Sequence, residues 1–242
     1  MECMSETGRL GRKLMRLKQQ ITRERDPARR RKLRKSEAQT MLELGQPGKA
    51  AALAERLTED HPRWPAGWAL LGDLSIRLSR WKDAERAFSQ AVELREAAGM
   101  DAAWLRQGPL YLLAEARQDF PGCLRLARTG TSTGRVLEAR AERLLKRQPR
   151  LPKRVSPDEP LAERLLELER VWREADPRRL TPLLEGWEDE PEWRWRYLVE
   201  GVELFRRAGL SPSPWRKVLR GFDSPVADPR FPEERKALMG ML

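Results

Sequence analysis

The chemistry this 242-residue chain advertises is mostly that of guanidinium and ammonium groups. Lys and Arg number 48 against 37 Asp and Glu, a formal net charge of +11. The excess is concentrated. Residues 1–35 hold thirteen Lys/Arg against four acids, and residues 134–154 hold eight against Glu138 and Glu142. The remainder is slightly acidic. Clustered cations attract phosphates, acidic proteins or anionic surfaces, and Arg can grip a carboxylate or phosphate with two hydrogen bonds at once. Two runs read as a basic surface: Arg29, Arg30, Arg31 and Lys32, and Arg140, Arg143, Lys146 and Arg147. The first run opens a helix, where positive charge opposes the helix dipole. An anion or acidic partner would offset that; a solvated basic face is the plainer reading.

Groups that make or break bonds are sparse. His61 is the one histidine, beside Pro62, and Cys3 and Cys123 are far apart, so no standard zinc site is formed. No P-loop and no Gly-x-Gly-x-x-Gly fingerprint occurs. The loop at 129–134, Thr-Gly-Thr-Ser-Thr-Gly, lacks the lysine and the preceding strand of a phosphate loop. Glu188-Asp189-Glu190 is acidic without a paired geometry for acid–base work. The chain therefore reads as non-enzymatic, with no cofactor and no metal. Two separated cysteines imply no disulfide framework and favour a reducing compartment. No apolar run approaches the roughly 18 residues of a membrane span. The Arg-rich N-terminal residues hold no apolar signal-peptide core, so a cytoplasmic location is expected.

The elements that must position these cations are helices. Leu, Ala, Glu and Arg dominate, and strand-like alternation is scarce. Leu10, Leu14, Leu17 and Ile21 recur at helical spacing and predict an amphipathic helix over 7–25, with Arg9, Arg12, Lys13, Arg16 and Lys18 around it. Such a helix can pack on the rest of the chain, dock a protein, or lie on nucleic acid or a membrane surface. Asp26-Pro27 starts a second helix, running to about Leu44. The turn Gly45-Gln46-Pro47-Gly48 leads into a third, over 49–59, closed by His61-Pro62. A basic helix over 135–148 has Val136, Leu137, Ala141, Leu144 and Leu145 as its apolar side. Prolines at 149, 152, 157 and 160 mark a linker. Helices follow over 161–175, from Asp176-Pro177 to near Trp187, and over 191–208, with short ones over 214–219 and 232–242. Trp193 and Trp195 stand two apart, on different faces. One is expected in the core and the other at a packing seam or partner site.

One stretch carries a resemblance. Trp68, Leu71 and Gly72, followed by Ala84, Ala87, Phe88 and Ala91, are similar to a tetratricopeptide (TPR) repeat over 65–98, with Ser75 where that family usually has Tyr. Ala50 and Ala84 are 34 residues apart, the period of that repeat. Residues 31–64 resemble a degenerate first repeat, with Arg34 for the early Trp and Glu37-Ala38 for Leu-Gly. Residues 101–132 resemble an altered third, through Trp104, Gly108 and Tyr111, with Phe120 in place of a small residue. The basic helix would then cap the array. The resemblance implies a concave groove lined by the first helices of the repeats, here Lys35, Gln39, Ala69, Asp73, Arg77 and Arg106. Lys35 and Arg106 match basic positions of the carboxylate-clamp subfamily, whereas Gln39 and Leu70 replace its asparagines and Ala102 a further lysine. A mixed groove for an acidic protein segment is implied, rather than a chaperone-tail clamp.

The expected fold is therefore all-α. A basic N-terminal helix (1–26) precedes a TPR-like solenoid with its capping helix (27–148), a Pro-rich linker (149–160) and an appended C-terminal helical module (161–242). The expected function is a protein-protein interaction scaffold, adaptor or assembly factor for an acidic partner. The alternative is a nucleic-acid-associated protein touching phosphate through residues 9–35 and 135–154.

Overall fold

Proline and aspartate mark where the helices start. In the computed structural model, which describes residues 6–174, 179, 191–209, 236 and 238, every regular element among the described residues is helical. The chain divides into two compact units, Met1–Ala102 and Ala103–Leu242. That division falls inside the segment expected as a third repeat, and the Pro-rich stretch lies within the second unit.

The first unit is built from α1 (Glu6–Arg23), α2 (Pro27–Glu43), α3 (Pro47–Asp60), α4 (Pro65–Arg77) and α5 (Trp81–Ala97). Each helix packs on the next in chain order. Pro27, Pro47 and Pro65 sit in first turns, where the missing N–H leaves no hydrogen bond unmade. Asp26 caps α2 by accepting from the Ala28 N–H at 2.9 Å. The α2 and α4 ends share one device: a left-handed residue, Gly45 or Ser79, lets the following N–H bond back to Met41 or Ser75. The core is a seam of small residues, with Ala38, Ala50 and Ala54 alongside Leu57, Leu70 and Leu74. Small side chains let helices approach closely. Gly72 is the tightest such point: a Cβ there would lie 2.7 Å from the Phe88 ring. Phe88, Ala84 and Ala91 are buried, and Trp68 donates from Nε1 to the Pro62 carbonyl at 2.8 Å.

The second unit contains the single turn α6 (Ala103–Leu105), a π-helical turn (Arg106–Leu110), α7 (Tyr111–Ala116), α8 (Phe120–Ala127), α9 (Ser132–Leu144), α10 (Pro160–Glu174) and α11 (Pro191–Arg207). Pro109 lies inside the π turn. Its ring and missing N–H disrupt regular α-helical bonding, and the wider turn absorbs the defect. Trp104, one of the residues that carry the resemblance to a third repeat, is 51% exposed. The core is aromatic and leucine-rich: Tyr111, Leu137, Leu165, Leu168, Tyr197, Leu198 and Phe205. Trp193 and Trp195 are both buried, at 2% and 0% exposure, so neither is a partner-facing tryptophan. A helix apolar on more than one side is enclosed by its neighbours. The expected linker is not helical between Gln148 and Glu159, yet it is tied down. Leu151 and Val155 pack against the core, and the Ser156 N–H donates to Ser132 Oγ at 2.9 Å. The expected helices at 177–187, 214–219 and 232–242 lie outside the described residues, apart from Arg179, Lys236 and Leu238.

Candidate functional site

Of the six groove residues, Lys35 and Gln39 lie on α2 and Ala69, Asp73 and Arg77 on α4. The three on α4 are spaced by four and share one face. Gln39, Asp73 and Arg77 are exposed; Lys35 and Ala69 are half-buried. Arg106, half-buried, opens the π turn of the second unit, so the six are divided between the two units.

The run 29–32 does not form one surface. Arg29 lies 3.7 Å from Asp26, the cap of its own helix. Arg30 donates from Nε at 3.0 Å and Nη2 at 2.5 Å to the Glu24 carbonyl, just past the end of α1. Arg31 is half-buried, its guanidinium 5.4 Å from the centre of the Trp64 ring. Lys32 is exposed. A helix spreads four consecutive residues around its circumference, and three of these four have work within the chain. The Asp26 carboxylate offsets part of the cost of cations beside the α2 N-terminus.

The coherent row of exposed cations is on α1. Arg9, Arg12, Lys13 and Arg16 occur at i, i+3, i+4 and i+7, and Arg23 follows seven residues later; all are exposed. At 1.5 Å per residue the row runs for about 21 Å. The stripe Leu10, Leu14, Leu17 and Ile21 is half-buried, on a helix that packs on α2. Lys13 pairs with Glu43 at 3.1 Å. Where α1 begins and α2 ends there is a cleft of about 820 Å³, lined by Glu6, Thr7, Arg9, Leu10, Lys13, Glu43 and Leu44. On the other flank of the row, Met15 is 62% exposed.

The run on α9 overturns its reading as a basic surface. Arg140 is fully buried and the Arg143 side chain is 19% exposed; only Lys146 and Arg147 face solvent. Arg140 grips Glu115 of α7 with two bonds, Nη2 to Oε1 at 2.8 Å and Nε to Oε2 at 2.9 Å. It also reaches Glu169 of α10 at 3.2 Å and Glu200 of α11. Arg143 bonds Glu169 at 2.7 Å and Glu200 at 2.8 Å. The Tyr197 hydroxyl donates to Glu169 Oε1 at 2.9 Å, and the Arg140 guanidinium lies 4.4 Å from the Tyr197 ring centre. Burial disfavours ionised Glu169, but Arg143 and Arg140 outweigh it and hold the carboxyl below its ordinary range. Glu200 follows the same balance, burial against Arg140 and Arg143. Burial likewise opposes the charge on Arg140, and Glu115 and Glu200 more than restore it. Arg140, Glu169 and Glu200 thus hold one another in their charged forms. The cluster joins four helices and offers no nucleophile or proton to a substrate. A signal for it was present in the sequence: Arg140 stands four residues from Val136 and Leu144 and three from Leu137, on the apolar stripe of its own helix.

The loop at 129–134 has an anion of its own. Glu159 accepts from the Ser132 N–H at 2.9 Å, the Thr133 N–H at 2.7 Å and Thr133 Oγ1 at 2.8 Å. Burial alone would raise this carboxyl; the Thr133 and Ser132 donors lower it. A helix N-terminus that could hold a phosphate is occupied by a side chain from the Pro-rich segment. Cys123 is buried, and its thiol is pushed up to about 12, so it is not poised as a nucleophile. Among the described residues, no group of three or more His, Cys, Asp or Glu is placed to hold a metal ion, and no helix is long and apolar enough to cross a membrane. Comparison of the chain with protein-family models, with curated proteins and with solved structures finds no match.

Proposed function

We propose that this chain is a non-enzymatic, TPR-like helical-repeat adaptor or assembly factor that binds an acidic segment of a protein partner. The observation that carries the reading is the arrangement of the first unit. Helices packed one on the next turn small residues inward, while Gln39, Asp73, Arg77 and the cations of α1 stand in solvent. A surface of mixed polarity with excess positive charge suits a carboxylate-bearing segment, which Arg can hold with paired hydrogen bonds. The test is affinity capture of the tagged full chain at low and moderate salt, with and without nuclease. A protein partner retained after nuclease and lost with Arg77→Glu is the expected result. Retention of nucleic acid alone would sink the reading.

One observation favours a second reading. The span 6–43 carries thirteen Lys/Arg against five acids, enough to attract phosphate without base recognition. In that case binding to a single-stranded oligonucleotide falls log-linearly with salt and ignores its sequence.

A further inference from the structure

The outer face of α1 has a spacing that a general positive charge would not need. Arg9, Arg16 and Arg23 recur every seven residues, with Arg12 and Lys13 between the first two. Seven residues are two helical turns, so these side chains return to one line along the axis. A second α-helix laid beside α1 repeats its own side chains at the same interval, as charges flanking a coiled-coil seam do. An extended peptide advances about 6.6 Å for every two residues and drifts out of step with a row of about 5.4 Å per turn. The row is also bordered by apolar groups. Met15 is exposed on one side, and on the other the cleft includes Leu10 and Leu44. A phosphate chain gains nothing from an exposed methionine, whereas an amphipathic helix buries it; an unbranched, polarizable side chain adapts readily to such a partner. A bilayer would need the leucine stripe of α1, which is half-buried in the folded unit.

We propose that the outer face of α1 is a docking surface for an acidic amphipathic helix of a partner protein, with carboxylates at heptad spacing set against Arg9, Arg16 and Arg23 and apolar residues against Met15. This rests on the reading of the chain as a protein-binding adaptor and specifies the partner's form. Glu6 and Glu43 within the cleft give the site a direction. They weaken the pull of the Arg9 end, so the partner's carboxylates are held less strongly at Arg9 than at Arg16 and Arg23.

The test uses the full chain and three defined probes. One is a synthetic helical peptide with Glu at heptad spacing beside a Leu row. The second has the same composition in scrambled order. The third is a single-stranded oligonucleotide of equal charge. The heptad peptide is expected to bind at least about tenfold more tightly than the scrambled one. Arg16→Glu combined with Arg23→Glu is expected to weaken it by about a hundredfold, and Met15→Ser by a few-fold, with circular dichroism unchanged. Arg16→Gln with Arg23→Gln repeats the measurement with less perturbation of folding. Equal binding of the two peptides, or preference for the oligonucleotide, overturns the inference. The adaptor reading fails separately, through loss of any protein partner in the capture experiment or its indifference to Arg77→Glu on α4.

Discussion

In the first unit the arginines of α1 are exposed, and Arg9 lies 3.8 Å from the equally exposed Glu6. In the second unit Arg140 is withdrawn from water and bonded to Glu115, Glu169 and Glu200. The two stretches are alike in composition. They differ in what the fold brings to them. A buried guanidinium is tolerated only when its hydrogen bonds and charge are met. The second unit meets them by converging three helices on α9, from sequence positions 25, 29 and 60 residues away. Beside α1 the acids Glu6 and Glu43 are themselves solvent-accessible, and the cations they meet keep much of their hydration. An arginine-rich helix is therefore a solvated face or a structural hub according to the carboxylates that fold onto it.

The sharpest way to break this contrast is Arg140→Ala. It removes the guanidinium that holds Glu115, leaves Glu169 and Glu200 to Arg143, and is expected to cost about 3–5 kcal/mol, the usual penalty for breaking a buried ion pair. Chemical denaturation measures it, and a loss below about 1 kcal/mol would mean that the cluster is wet. Acid is the next lever. Glu169 and Glu200 have lowered folded-state pKa values, so their contribution is complete above the unfolded carboxyl value of about 4.3 and is lost as pH falls through the folded values. The melting temperature should drop steeply below about pH 4, and Glu169→Gln, though less stable at neutral pH, should flatten that drop. In the first unit the comparable weak point is packing. Gly72→Ala pushes a methyl group against the Phe88 ring and is expected to cost about 1–3 kcal/mol, read from the same denaturation curves. The smallest effect belongs to the solvent-facing row. Arg9→Gln with Arg16→Gln should change stability by less than about 0.5 kcal/mol per site. A large loss there would show that α1 uses its outer face to hold the fold.

Most helices were legible because apolar spacing and Pro or Asp starts are local signals. The expected helices over 7–25, 161–175 and 191–208 correspond to α1, α10 and α11 within a residue or two. Gly72 was legible only as part of the repeat-like pattern; its close contact with the Phe88 ring was set by how α4 and α5 pack. Of the two readings left open for the second of Trp193 and Trp195, the packing seam agrees with the fold, because the helix is enclosed by its neighbours and both rings are buried. The π turn at Arg106–Leu110 was hidden within a repeat-like pattern, although Pro109 was a warning. The Pro-rich stretch looked free because the anchor of Glu159 is a pair of backbone amides 26 and 27 residues distant.

The candidate surface was legible only as charge. Composition located the excess cations near residues 1–35 and 134–154 but could not distinguish a solvated Arg9 from a buried Arg140. Arg30 and Arg31 show the same limit on a smaller scale. One is bonded to a carbonyl beyond the end of the preceding helix and the other lies over Trp64, contacts set by the turn geometry between helices.

What the sequence determined by itself is the set of helical segments, their starts, the small-residue seam and the total of positive charge, because each follows from short-range spacing and side-chain chemistry. Only the tertiary structure decided which arginines keep their hydration. Desolvation depends on every helix that packs around a side chain, and the carboxylates that make Arg140 tolerable come from three of them.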